Sequence, residues 1–294
     1  GEVVTSSEYA RELGEDVKAD LVIWAWYRPT ENPNITVHIE NLSPEDFVTI
    51  QESESYQPQA SLAQLETFEI QRQLGSETST LVSFLNGVLL FEAGDYKAAV
   101  EHFEQILQAN DISTFISLYD LSFNLGYSQH NLGNYERAIR NNDKAIELDP
   151  KSVAAYNNRG VDYYSLEQYE RAIQDYDKAI ELDPEKATAY YNRAGVYYSL
   201  EQYERAIQDT DKAIELDPQF AFAYAGRGRA YSSLGQYERA IQDFDKVDEI
   251  APQYSGNYNN RGLAYSSLGQ YESAIRNYDR AIELDPENAA AYYN

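Results

Sequence analysis

Residues 153–186 read VAAYNNRGVDYYSLEQYERAIQDYDKAIELDPEK, and residues 187–220 read ATAYYNRAGVYYSLEQYERAIQDTDKAIELDPQF. The two stretches are one 34-residue unit written twice, and the unit continues outward in both directions. Pro150, Pro184, Pro218, Pro252 and Pro286 stand 34 residues apart, each closing a Leu-Asp-Pro or a close relative of it. In that register five units cover 119–152, 153–186, 187–220, 221–254 and 255–288, and a sixth opens at Ala289. A fixed period of this length marks a repeat architecture, in which each unit completes its core against its neighbours.

Numbering positions from the start of each unit, small residues recur at position 8 (Gly126, Gly160, Ala194, Gly228, Gly262). Tyrosine recurs at position 17 (Tyr135, Tyr169, Tyr203, Tyr237, Tyr271) and alanine at position 20 (Ala138, Ala172, Ala206, Ala240, Ala274). Small residues let two helices approach closely, and rings fill the gaps beside them. Tyr156, Gly160, Tyr163 and Tyr164, then Tyr169, Ala172, Ile173, Tyr176, Ala179 and Ile180, follow helical spacing on either side of a turn at Ser165–Gln168. Each unit is therefore predicted to be a pair of antiparallel helices. The proline at position 32 ends the second helix, because it cannot continue the hydrogen-bond ladder and it pushes its predecessor out of the helical region.

This pattern resembles the tetratricopeptide repeat over residues 119–294. The resemblance implies a mostly α fold, an α-solenoid in which helix hairpins stack into a right-handed superhelix. Residues 80–113 keep the register more loosely, with Gly87, Gly94, Tyr96, Ala99 and Phe103 at the expected positions and Asp111 where proline would stand. They are read as a divergent first unit within 80–118, followed by a five-residue phase offset at Thr114–Leu118.

The first residues are a different kind of chain. Thr5-x-x-Glu8 forms a capping box ahead of a helix to about Lys18. The apolar run Leu21–Tyr27 and the alternating Ile35–Ile39 predict a hairpin across a turn at Arg28–Asn34. Ala10-Arg-Glu-Leu-Gly and Ala19-Asp-Leu-Val-Ile-Trp resemble a small α/β segment that precedes such arrays in some bacterial multidomain proteins. The expected layout is a partial α/β segment at 1–57, a linker helix at 58–79 carrying Leu62, Leu65, Phe68 and Leu74 beyond the polar stretch Gln51–Gln59, then the array. With a start at Gly1 and an end inside a motif, the chain is expected to be a piece of a longer protein.

Composition narrows the function classes. Forty-nine acidic against 23 basic residues give a formal charge of −26, which repels nucleic-acid phosphates and anionic lipid, so neither is expected as a partner. There is no Cys, and His38, His102 and His130 carry no ligand spacing, so no metal and no cofactor are expected. The longest apolar run is too short for a membrane helix and no leader pattern opens the chain, which favours a soluble, cytoplasmic setting. No phosphate loop, nucleophile elbow or zinc-protease motif occurs, so the chain is not expected to be an enzyme. Asp175-Tyr-Asp177 and Asp209-Thr-Asp211 lack the turn glycine and closing glutamate of a calcium loop and read as a solvated helix face. Asn34-Ile-Thr36 reads as a chance glycosylation sequon.

By the resemblance, positions 2, 5, 6, 9, 12 and 13 line the concave side of the superhelix. Position 6 holds Asn124, Asn158, Asn192 and Asn260, with Gly226 as a gap. Asn is a poor helix former, and its amide offers a donor and an acceptor to the backbone of an extended chain. The row resembles the asparagine ladder of the repeat superhelix in O-GlcNAc transferase, where the ladder holds ligand backbone. Asn157, Tyr191 and Asn259, then Val161, Gly195, Arg229 and Leu263, then His130, Tyr164 and Tyr198 complete the face, on which only Asp120 and Arg229 are charged. No Lys and Arg clamp for a terminal carboxylate is present. Arg159, Arg193, Arg227 and Arg261 at position 7 are expected to pair with acids of a neighbouring helix instead.

The expected function is a non-enzymatic scaffold for an extended peptide, with Asn124, Asn158, Asn192 and Asn260 on its backbone, Tyr164, Tyr191 and Tyr198 on its side chains, and Arg229 as the one groove cation. The alternative is a regulatory, partner-binding arm of a larger enzyme or signalling protein. Self-association through the apolar end of a truncated array is a third expectation.

Overall fold

The computed structural model describes residues 80, 82–108 and 116–286, and the backbone of two strands at 21–28 and 34–41. The expected capping-box helix, the linker helix, residues 114–115 of the phase offset and the opening of a sixth unit at Ala289 lie outside the described residues. The chain divides into two compact units, Gly1–Ser117 and Leu118–Asn294.

In the first, β1 (Leu21–Arg28) and β2 (Asn34–Asn41) form the expected antiparallel hairpin, with Ile23 opposite Ile39 and Tyr27 opposite Ile35. Helices α1 (82–92) and α2 (Tyr96–Gln108) follow. Ala99, Phe103 and Ile106 are buried there, and Gly87 backs onto Phe103 so closely that a Cβ would stand 2.5 Å from the ring. That Gly-to-aromatic seat recurs in three of the five pairs of the second unit.

The second unit is ten helices in five pairs: α3 (Leu118–Asn131) with α4 (Tyr135–Leu148), α5 (Val153–Ser165) with α6 (Tyr169–Leu182), α7 (Ala187–Ser199) with α8 (Tyr203–Leu216), α9 (Ala221–Ser233) with α10 (Tyr237–Ile250), and α11 (Ser255–Ser267) with α12 (Tyr271–Leu284). Every pair packs on the next, and the first helices of successive pairs touch. The core is built from small residues: Ala138, Ala172, Ala206, Ala240 and Ala274 are at most 3% exposed, and Ala145, Ala179, Ala213, Val247 and Ala281 are fully buried. Small side chains bring the helix axes together, and in three of the five pairs one ring fills what remains. Tyr176, Phe244 and Tyr278 lie against Gly160, Gly228 and Gly262, where a Cβ would meet the ring at 2.6, 2.7 and 2.5 Å.

Local chemistry sets the turns. At position 15 the backbone is left-handed, with Gly133, Gly235 and Gly269 at φ of 75°, 72° and 72°, the region in which glycine has no side-chain penalty. The two middle pairs place Glu167 and Glu201 there instead, at φ of 58° and 57°. At the other end of each pair, the Leu-Asp-Pro aspartate leaves the helix with extended backbone, and its carboxylate accepts an N–H from two residues on: Asp149 from Lys151 at 3.0 Å, Asp183 from Glu185 at 3.0 Å, Asp217 from Gln219 at 2.9 Å.

Candidate functional site

The recurring Arg and Asp resolve into one motif. Arg159 forks onto its own pair's Asp175, Nε to Oδ2 at 2.8 Å and Nη2 to Oδ1 at 2.6 Å, while Nη1 donates to Asp143 of the preceding pair at 2.6 Å. Arg193 does the same with Asp209 and Asp177, and Arg227 with Asp243 and Asp211. Arg261 ends the series on Asn277, Asp245 and Asp248. So in each Asp-x-Asp the first aspartate holds its own pair's arginine and the second holds the next pair's. Burial works against the Arg159 charge, but Asp175 and Asp143 more than offset it and hold the guanidinium well above its ordinary value. The expected ion pairing at position 7 is thus found, and it accounts for the carboxylates that a metal reading would have used. Among the described residues no three His, Asp or Glu side chains cluster as metal ligands.

With the seam holding α5, α7, α9 and α11 in register, their other faces line up. Two pockets open on this face and share Tyr198 and Arg229. One, of about 260 Å³, is lined by Tyr164, Tyr191, Asn192, Tyr198 and Arg229 over a floor that includes Ala194, Ala206 and Thr210. The other, of about 310 Å³, is lined by Tyr198, Arg229, Asn260 and Leu263 among others. Six of the eight residues expected from the sequence are thereby brought together, whereas Asn124 and Asn158 line neither pocket.

The amides are not equivalent. Asn124, Asn158 and Asn260 are half-buried, and their side-chain amides make no hydrogen bond to any described residue. Asn192 already donates to Asn157 Oδ1 of the preceding pair at 2.9 Å, which leaves it one N–H and its carbonyl oxygen. The tyrosines are tethered across pairs, Tyr164 Oη to Ser199 Oγ at 3.0 Å and Tyr198 Oη to Ser233 Oγ at 3.2 Å, so their rings stand at fixed spacing along the face. Arg229 is exposed, lies 4.5 Å from the Tyr198 ring centre, and has no carboxylate partner among the described residues. Tyr191 continues into a run of rings, Phe220 at 5.1 Å, then Phe222 and Tyr254.

His130 has a partner that sequence reading missed. Its Nδ1 lies 2.7 Å from Oδ1 of Asp162, a fully buried carboxylate that also accepts from Asn142 Nδ2 at 2.9 Å. Burial pushes the Asp162 carboxyl up, against the pull of both hydrogen bonds. The signal was present: positions 10 and 24, apolar or aromatic in most pairs, hold Asp162 and Asn142. Read down the array in the same way, position 24 also shows Thr210 as an exception.

Models of the tetratricopeptide repeat match residues 119–152, 187–220 and 258–288, and two further models of the same repeat match 142–174 with 210–242, and 160–200. Among solved structures, a tetratricopeptide repeat protein from Parabacteroides merdae is 24% identical with a TM-score of 0.61, over 73% of this chain and 83% of that one. MamA is 28% identical with a TM-score of 0.50, over 56% of this chain and 96% of its own. A thermophilic repeat protein of Thermus thermophilus is 18% identical with a TM-score of 0.53, over 60% and 95%. No curated protein matches the sequence.

Proposed function

Because the chain belongs to the tetratricopeptide repeat family, we propose that it is a non-catalytic interaction scaffold whose first-helix face takes an extended, largely uncharged peptide segment of a protein partner. The observation that carries this reading is the division of hydrogen-bonding capacity. The arginines and aspartates of the seam are consumed by one another, while Asn158 and Asn260 on the open face keep both donor and acceptor. An extended peptide presents alternating N–H and C=O groups that such amides can pair with whatever its sequence. Tyr164, Tyr191 and Tyr198 supply large, rigid contact area at low entropic cost. No described helix is long and apolar enough to cross a membrane.

The test is to replace Asn158 and Asn192 together by Ala. The fold should hold, since Ala is the better helix former, while two hydrogen bonds of ~0.5 to 1.5 kcal/mol each are lost. A partner recovered from cell extract should then bind roughly tenfold more weakly, nearly independently of salt. Arg229→Ala should give a smaller, salt-sensitive loss. Unchanged binding by the double variant would place the partner surface elsewhere.

A further inference from the structure

The pair α7–α8 lacks the ring that its neighbours bury. Position 24 is Tyr176, Phe244 and Tyr278 in three of the five pairs, each seated on a glycine at position 8, but here it is Thr210 opposite Ala194. The exchange is coupled: Ala is accommodated at 194 only because no ring stands opposite it. The vacated space opens on the first-helix face, because the groove residues beside it are also small, Gly195 at position 9 and Gly226 in place of the ladder asparagine. The floor is apolar. Thr210 Oγ1 donates to the carbonyl of Ala206 at 2.8 Å, and its methyl is turned toward Gly226, 3.6 Å from where a Cβ would stand there. The walls are Tyr164, Tyr191 and Tyr198, and Arg229 lines the same pocket.

Building on the peptide-binding reading above, we propose that this pocket is the specificity site of the groove. It takes one aromatic side chain of the partner peptide, Phe or Tyr, while a carboxylate on the next residue pairs with Arg229. The pocket of about 260 Å³ exceeds the ~150 Å³ that suffices for benzene in an engineered cavity, so a phenyl ring fits. Ring walls favour an aromatic guest through edge-to-face contacts over an aliphatic one of equal area. The carboxylate follows from charge: in a chain of net charge −26, Arg229 is an exposed groove cation without an acidic partner among the described residues.

The probe is an acetylated, amidated Gly- and Ser-flanked peptide with Phe-Asp at its centre, compared with its Ala-Asp and Phe-Asn forms by fluorescence anisotropy and by NMR of the Thr210 methyl. The wild type should bind the Phe-Asp form roughly tenfold more tightly than either control. Ala194→Gly with Thr210→Phe installs the seat that neighbouring pairs use. It should fold and make the Phe-Asp and Ala-Asp peptides bind alike. Gly195→Leu narrows the same pocket from the helix face and has no neighbour within 4 Å to meet its Cβ, so it serves if the filled core does not fold. Arg229→Gln should equalise the Phe-Asp and Phe-Asn forms. Equal binding of Phe-Asp and Ala-Asp by the wild type, or no shift of the Thr210 methyl at millimolar peptide, overturns the pocket. If both peptides then weaken with Asn158 and Asn192 replaced, the amide reading stands without it. Loss on filling the pocket combined with indifference to the asparagines leaves the pocket standing and removes the ladder.

Discussion

The pairs 153–186 and 187–220 share the turn and helix start SLEQYERAIQD, the same forked arginine and the same strained glutamate in the turn. Of the nine positions at which they differ, three lie together around the ring seat: Gly160, Val161 and Tyr176 in one, Ala194, Gly195 and Thr210 in the other. The seam between pairs is held constant, so the face can change without changing how pairs stack. Neighbouring residues show the division most plainly. Arg193 spends its N–H groups on Asp177 and Asp209, whereas Asn192, one residue earlier, uses one N–H on Asn157 and leaves the other N–H and its carbonyl oxygen unused.

The comparison breaks most easily at the seam. Arg193→Ala should leave Asp209 almost buried without a counter-charge and cost about 3 kcal/mol in urea unfolding, as Arg159→Ala should for Asp175. A loss below 1 kcal/mol in either would show that the pairs are stacked by packing alone. A smaller effect separates the two cores. Gly160→Ala drives a Cβ to within 2.6 Å of the Tyr176 ring and should cost about 1 to 2 kcal/mol after the gain in helix propensity. Ala194→Gly meets no ring and should cost only the propensity term of about 1 kcal/mol. If Gly160→Ala proves stabilising in thermal unfolding, the ring seat is looser than its contacts indicate.

Glu201→Gly should act in the opposite direction. Gly235 holds the same turn position at φ 72°, and removing the left-handed strain at Glu201 should stabilise by about 0.5 kcal/mol once the added freedom of the unfolded chain is counted. A higher melting temperature checks it. Smallest of all is Lys212→Ala. Its pair with Glu215 at 2.8 Å is an exposed i,i+3 contact, so the same urea unfolding should show almost no change, far less than for Arg193.

Repeat period, helix pairing, the glycine seats and the pairing of position 7 were legible in the sequence, because each depends on neighbours at a fixed separation that the period itself reveals. Arg159 reaches Asp175 16 residues on and Asp143 16 residues back, and the same arithmetic serves Arg193 and Arg227. The hairpin at β1 and β2 was legible from alternation. What single-position reading passed over were the exceptions: Thr210 opposite Ala194, and Asp162 buried beneath His130 and Asn142. A substitution is visible in a string, but whether it leaves a void or a satisfied polar contact depends on what the surrounding helices bring to it. Only the tertiary structure decided that Asn192 is partly spent on Asn157 while Asn158 and Asn260 are not, and that Gly195, Gly226 and Thr210 border one space. The physical reason is that packing of this array follows from residue identities repeated every 34 positions, whereas a pocket is the sum of several absences, each of which is tolerated locally and acquires meaning only where the helices bring them together.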